Sequence, residues 1–440
     1  MQRKTLHKQY KKLGISAVRR IGFSFFAVIL IGSILLSLPM SHSVHSTSSY
    51  LDHLFVATSA TCVTGLVTHV TASEYTLFGQ IVIILLIQIG GLGFLTLMSM
   101  FFVLLKRKLT YANKIVMQEA LNRNSLNETG IYIKRVIKYT VCFELIGAIC
   151  LAFVFIPQFG ILKGIYYSLF HAISAFCNAG FDILGTTENT FPSLMRYSGN
   201  AIVNVVIMLL IIIGGIGFLT WDDIYMNKMN FKRYRMQSKI ILVTTACLIF
   251  LPAVFFFACD LKNLPAGERL LAAMFQSVTT RTAGFNTIDI SEMSEASKAV
   301  MILLMLIGGS PGSTAGGMKT TTFTVLILNA GAFGRRLEYH VIKNAATIAM
   351  LYFTLFFCGG VAISVYEGLP LLDCLYEAAS AVGTVGLTLG VTPGLHVFSQ
   401  VVLIILMYLG RVGGLTLIYA VLSGRNKGNA KLPLEKITVG

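Results

Sequence analysis

Apolar residues run in long blocks along this chain, and the blocks recur in a fixed order with shorter apolar segments between them. Ile21–Leu38, Ile81–Leu105, Ala201–Leu219, Ile240–Ala258 and Val401–Leu409 are predominantly apolar. Several are long enough to cross a hydrocarbon core about 30 Å thick, which takes about 20 helical residues. The shorter segments, about a dozen residues each, cannot cross and are expected to enter a bilayer and return to the same side.

Four short segments align on a glycine: LFVATSATCVTGL (Leu54–Leu66), LFHAISAFCNAGF (Leu169–Phe181), MFQSVTTRTAGF (Met274–Phe285) and LYEAASAVGTVGL (Leu375–Leu387). Each has an aromatic second residue, Phe55, Phe170, Phe275 or Tyr376. Each then runs through small and hydroxyl residues to Gly65, Gly180, Gly284 or Gly386, the third copy being one residue shorter. A second landmark follows: Gly90-Gly91-Leu92-Gly93, Gly214-Gly215-Ile216-Gly217, Gly308-Gly309 and Gly410-Arg411-Val412-Gly413. Two landmarks repeating together mark internal repetition.

The pattern predicts an all-α polytopic membrane protein of four in-line repeats around a central pore. Each repeat is a spanning helix, a pore helix, a glycine-ended filter stretch and a second spanning helix, making eight transmembrane helices. The expected division is a tail at 1–18, repeats at 19–106, 134–227, 237–332 and 343–424, a loop at 107–133, and a tail at 425–440. First helices are expected near 19–39, 134–157, 237–259 and 343–366, and second helices near 76–106, 199–227, 296–332 and 396–424.

Composition agrees: 55% of residues are hydrophobic and 12% charged, with mean hydropathy +0.75, against about 25% charged in soluble domains. The formal charge of +16 would suit nucleic acid, but the basic residues sit in loops between apolar blocks. No nucleic-acid partner is expected; the bilayer is. Arg3, Lys4, Lys8, Lys11, Lys12, Arg19 and Arg20 precede the first block, whereas residues 39–75 carry no Lys or Arg. The positive-inside rule then puts both termini in the cytoplasm, and so an even number of crossings. The N-terminal block does not read as a cleaved secretory signal. Eight cysteines without a CxxC pair argue against a zinc site or disulfide framework. No grouping of nucleophile, histidine and acid suggests an enzyme.

Non-helical backbone at bilayer depth survives only where protein buries it or water lines it. The stretches 62–65, 177–180, 281–284 and 383–386 are therefore pore-lining candidates. Within them the expected ion-binding residues are Val63, Thr64 and Gly65; Asn178, Ala179 and Gly180; Thr282, Ala283 and Gly284; and Thr384, Val385 and Gly386. Inward carbonyls can replace the hydration shell of a potassium ion, glycine allows the positive φ that turns one inward, and the pore helices aim their negative ends at the same point. For one such glycine a helix cap or close packing is the plainer explanation; four aligned instances favour a filter. The second-landmark glycines are expected only to pack helices.

The third repeat interrupts its second helix with LIGGSPGSTAGGMKTT (Leu306–Thr321), which holds five glycines and Pro311. Such a run cannot stay a regular helix; it is either a gate or a fixed kink. The expected gating residues are Gly308, Gly309, Ser310, Gly312, Ser313, Thr314, Gly316, Gly317, Lys319 and Arg411. Arg411 lies within the last apolar block, where a charge must find a cavity or partner, and the glycine-rich loop is the expected partner. Lys319 either shares this part or snorkels from a helix end. Arg281 is expected behind the filter, paired with Glu377. His53 and His171 read as hydrogen-bonded packing residues, and no partner is evident for Glu144.

The repeats ending in GL, GF, GF and GL, with the glycine-rich break in the third, resemble the Trk/Ktr/HKT potassium transporters over residues 19–424. The resemblance implies potassium uptake across a bacterial plasma membrane with Gly65, Gly180, Gly284 and Gly386 as selectivity residues. Some plant relatives carry serine in the first position and pass sodium. It further implies no covalent cofactor, potassium as transported ion, sodium as activator, and a homodimer with one pore per protomer. Control by a cytosolic ring of KtrA-like RCK subunits that bind ATP and ADP is implied too, as is a tail, KLPLEKITVG, at the dimer interface. A symporter with alternating access is the alternative, but inverted repeats and midplane ionisable pairs are not found.

Overall fold

The computed structural model describes residues 17–43, 46, 48–93, 129–185, 193–228, 230–330 and 338–413. The expected tail 1–18 lies almost wholly outside the described residues; the loop 107–133 lies largely outside them and the tail 425–440 entirely.

The first repeat contains α1 (Ala17–Leu36), α2 (Tyr50–Cys62) and α3 (Leu77–Leu92). The second contains α4 (Thr129–Phe159), α5 (Ile161–Phe176), α6 (Ala201–Gly215) and α7 (Phe218–Asn227). The third contains α8 (Met236–Cys259), α9 (Ala266–Thr279), α10 (Glu295–Leu306) and α11 (Thr320–Ala330); the fourth contains α12 (Tyr339–Glu367), α13 (Leu371–Gly383) and α14 (Val397–Val412). No strand occurs among the described residues, so the all-α expectation holds.

The first helices of the second, third and fourth repeats are long and apolar, and Lys134–Phe159, Met236–Cys259 and Tyr339–Glu367 can each cross a bilayer unbroken. No more than a third of each apolar window is buried, with Phe153, Leu251, Val254 and Val365 among the residues facing outward. An apolar exterior of this extent belongs against lipid rather than water. Inside this ring stand the short helices α2, α5, α9 and α13, which are 13, 16, 14 and 13 residues long. Their aromatic anchors Phe55, Phe170, Phe275 and Tyr376 are fully buried. Ser49 starts α2 with a reciprocal capping box: its side chain accepts from Asp52 N, and Asp52 accepts from Ser49 N at 2.9 Å.

The second helices depart from expectation. That of the second repeat is interrupted as well as that of the third, in which α10 stops at Leu306, just before Gly308-Gly309. Helices α3 and α14 end at Gly93 and Gly413, both with φ near +85°, and α6 and α7 meet at an angle of 96° across Gly217. The structure therefore establishes no count of eight uninterrupted crossings. The physical reason is in the glycines themselves. Gly90, Gly214 and Gly410 pack against the last turns of the pore helices, facing the carbonyl oxygens of Thr61, Phe176 and Val382; Gly93, Gly217 and Gly413 take positive φ and stop the helix. The expectation that these glycines only pack is thus half of what they do.

Candidate ion-coordination site

Each pore helix ends in the same backbone pattern. Val63, Asn178, Thr282 and Thr384 are left-handed, with φ of 57°, 60°, 68° and 53°. Two residues on, Gly65, Gly180, Gly284 and Gly386 are again positive, at 103°, 67°, 80° and 95°, and the residue between is not. Backbone that alternates in hand turns successive carbonyls to one side, which a β-strand does not. Three of the four leading residues are β-branched, for which left-handed backbone costs about 1–3 kcal/mol. Strain repeated at equivalent places marks a conformation required by something other than folding.

The four stretches meet. A Cβ placed on Gly65 would stand 2.5 Å from Ala179 O and 3.3 Å from Gly180 Cα; on Gly180 it would stand 2.6 Å from Ala283 O and 2.8 Å from Gly284 Cα. On Gly284 it would face Val385 O, with Gly386 Cα at 3.2 Å, and on Gly386 it would face Thr64 O, with Gly65 Cα at 2.9 Å. The order 65, 180, 284, 386 and back to 65 closes a ring. All twelve candidate ion-binding residues lie in it, and none carries a charge. Between the adjacent second and third repeats, the Asn178 amide meets the Thr282 hydroxyl at 3.3 Å.

A hydroxyl column behind the ring escaped the sequence reading. Ser59 Oγ accepts from Gly65 N at 3.0 Å and Ser380 Oγ from Gly386 N at 3.0 Å. Ser174 donates to Phe181 O at 2.8 Å and Thr279 to Phe285 O at 2.7 Å. The signal was present as a hydroxyl residue six positions before each filter glycine, or five in the shorter third copy.

The glycine-rich loop between α10 and α11 lies against the ring. The site of a Cβ on Gly316 meets the Thr384 side chain, and that of Gly317, at φ +65°, stands 2.9 Å from Gly383 O. The loop also fastens to the bend of the second repeat: Ser310 N donates to Gly215 O at 2.9 Å, Phe218 N to Gly312 O at 2.8 Å, and Thr314 Oγ1 to Phe176 O at 3.0 Å. Within it Gly308 N donates to Met318 O at 2.8 Å and Ser313 Oγ to Ser310 O at 2.7 Å, while Thr320 N reaches Gly309 O at 3.1 Å. Arg411 donates to Thr314 O and to Gly90 O and Gly91 O of the first repeat, the last at 3.2 Å. Lys319 Nζ folds back onto Ala315 O at 2.7 Å and Gly316 O at 3.1 Å. All ten candidate gating residues therefore stand in or on this loop.

Two side chains lie otherwise than expected. Arg281 does not meet Glu377: its described contact is Thr245 Oγ1 at 3.5 Å. Glu377 instead accepts from Thr388 Oγ1 at 2.7 Å, Leu389 N at 3.0 Å and Thr392 Oγ1 at 2.5 Å, so the chain leaving its own filter consumes its lone pairs. Glu144 takes the Gln88 amide at 3.0 Å. At the start of α2, Asp52 lies 3.7 Å from His69, which follows the first filter. Burial raises the Asp52 carboxyl, but the adjacent His69 imidazole and hydrogen bonds from Ser49 N and Oγ outweigh it and hold the group below the usual carboxylate range. The neighbouring Asp52 carboxylate in turn raises the His69 imidazole above its ordinary value, against burial.

A ring of uncharged backbone within a shell of outward-facing apolar helices characterises a membrane protein. Residues 20–427 match the family described as TrkH, cation transport protein, and the chain belongs to that family, whose members are transport proteins rather than enzymes. It is 39% identical to the potassium/sodium uptake protein NtpJ of Enterococcus hirae, over 99% of this chain and all of the relative. It is 37% identical to Ktr system potassium uptake protein B of Bacillus subtilis, over 96% of each. In structure it is similar to the potassium transporter TrkH from Vibrio parahaemolyticus, with a TM-score of 0.70 and 18% identity over 91% of this chain and 84% of that one.

Proposed function

We propose that this protein takes up potassium across a bacterial plasma membrane, with both termini in the cytoplasm, through a filter made of the twelve ring residues. The closed ring of Gly65, Gly180, Gly284 and Gly386 carries this reading. Carbonyl oxygens of Thr64, Ala179, Ala283 and Val385 stand beside the neighbouring glycines and replace water around a dehydrated cation. The C-terminal ends of four pore helices add negative potential without a carboxylate. The names of the relatives, potassium uptake and potassium/sodium uptake, support potassium as cargo, and sodium is the activator in this reading.

The loop 307–319 is the gate in this reading, with Arg411 as its latch. Arg411 joins the fourth repeat to carbonyls of the third and first, and its charge repels a cation leaving the filter. Gate opening means release of those carbonyls and movement of the loop away from Thr384. A homodimer regulated by cytosolic nucleotide-binding subunits fits a relative whose name places it in a Ktr system. Alternating access would need the ring to open and reclose around the ion, and nothing in its continuous backbone favours that.

The test is uptake in proteoliposomes, potassium against choline, beside growth of a potassium-uptake-deficient bacterium on limiting potassium. The unmutated chain is expected to move potassium and restore growth, and Gly65→Ser to lose most of its preference for potassium over sodium. Equal flux of potassium and choline would sink the proposal.

A further inference from the structure

The hydroxyls behind the ring divide the four repeats into two pairs. In the first and fourth repeats, where leucine follows the filter glycine, the serine accepts from the glycine N–H. In the second and third, where phenylalanine follows, the hydroxyl donates to the phenylalanine carbonyl. All four hydroxyl residues are fully buried, so none of these bonds is replaced by bulk water.

The two arrangements hold different peptide groups. A peptide unit is planar and trans, so its N–H and C=O point in opposite directions. With the Gly65 N–H held back by Ser59, the carbonyl of the same unit, Thr64 O, is directed away from the pore helix. Thr64 O indeed faces Gly386 of the neighbouring repeat, and Val385 O, whose unit is held by Ser380, faces Gly284. Ser174 and Thr279 act two units further on. Their hydroxyls draw Phe181 O and Phe285 O back toward the pore helix and do not hold the units that carry Ala179 O and Ala283 O; the Gly284 N–H reaches only the Thr279 backbone carbonyl, at 3.5 Å.

We infer that Ser59 and Ser380 are positioning residues for ion selectivity, each preventing the peptide unit before its filter glycine from turning its carbonyl out of the ring. Ser174 and Thr279 hold the ring's edge and bear less on selectivity. This rests on the filter reading above. A glycine flanks each held unit, and glycine accepts either sign of φ, so steric restraint alone does not keep Thr64 O or Val385 O inward. The hydroxyl supplies that restraint.

The experiment measures potassium and sodium flux in proteoliposomes for the unmutated protein and for Ser59→Ala, Ser380→Ala, Ser59→Thr and Ser174→Ala. Threonine occupies the equivalent place in the third repeat, at Thr279, so Ser59→Thr keeps the hydroxyl in a fold that accommodates it. The potassium-to-sodium ratio is expected to fall about tenfold in Ser59→Ala and in Ser380→Ala, the scale set by loss of one buried hydrogen bond. Ser59→Thr is expected to restore it, and Ser174→Ala to shift it less than either. Either alanine variant suffices if the other does not reconstitute. An unmutated ratio in both, or a fall in Ser174→Ala as large as theirs, overturns the inference and leaves the filter intact. An unmutated protein that passes potassium and choline alike overturns the filter and this inference with it.

Discussion

Four left-handed residues, Val63, Asn178, Thr282 and Thr384, carry the most unusual backbone in the pore. Valine and threonine there store conformational energy that neighbouring contacts must hold, and the hydrogen bonds of the pore-helix ends do so: Thr64 N reaches Ser59 O and Val385 N reaches Ser380 O, each at 2.8 Å. The left-handed hand at these positions was not legible in the sequence, because nothing in a valine announces positive φ. The glycines two residues on were legible because only glycine fits where a neighbour's carbonyl stands at Cβ distance. Arg411 makes the residue-scale prediction about gating. Its guanidinium donates to three carbonyls on two other repeats, and each charge-assisted bond is worth about 1.5–3 kcal/mol when the alternative is an unsatisfied group. Arg411→Ala is expected to raise potassium uptake at least about tenfold in proteoliposomes, by releasing the loop. An unchanged rate would remove Arg411 from the gate.

At the scale of elements, the broken second helices are the main departure from the pattern. A hydropathy block reports burial in lipid or protein and is blind to a single residue of positive φ, so Ala201–Leu219 reads as one span although the chain turns at Gly217. Only Pro311 and the density of glycine betrayed the third break beforehand. The side chain of Arg281 was misplaced for a similar reason: spacing puts it near the filter, but whether Glu377 is free depends on the loop that returns over it, as Thr388 and Thr392 show. The loop after the first filter is held by His69 and Asp52, and this contact predicts a pH dependence. His69 has a raised value in the fold, so its contribution is complete below its unfolded pKa of about 6.5 and is lost as pH rises through the raised value. Asp52 has a lowered value, so its contribution is present above about pH 4 and fades as pH falls toward the folded value. The thermal stability lost in His69→Gln, measured in detergent, is therefore expected to be greatest between about pH 4 and 6.5 and to vanish well above neutral. A loss that grows above pH 8 would contradict the assignment.

For the whole molecule, the repeat was the legible part. Four glycine-ended segments with a second landmark at a nearly constant offset imply four equivalent units, and equivalent units without inversion meet about one axis. The structure realises this as a ring in which each glycine faces the next repeat. The hydroxyl column was harder to see, since serine and threonine abound in these segments and only the hydrogen-bond partner separates Ser59, which accepts from Gly65 N, from Thr58, which donates to Leu54 O. The central claim is that this ring strips one cation of its water. It is tested most directly by determining the structure in rubidium, a potassium substitute with a distinctive anomalous signal. The account predicts a rubidium peak on the ring's axis, surrounded by the carbonyl oxygens of Thr64, Ala179, Ala283 and Val385. A transporting protein with no peak there, or with its ion held by side chains elsewhere, would contradict it.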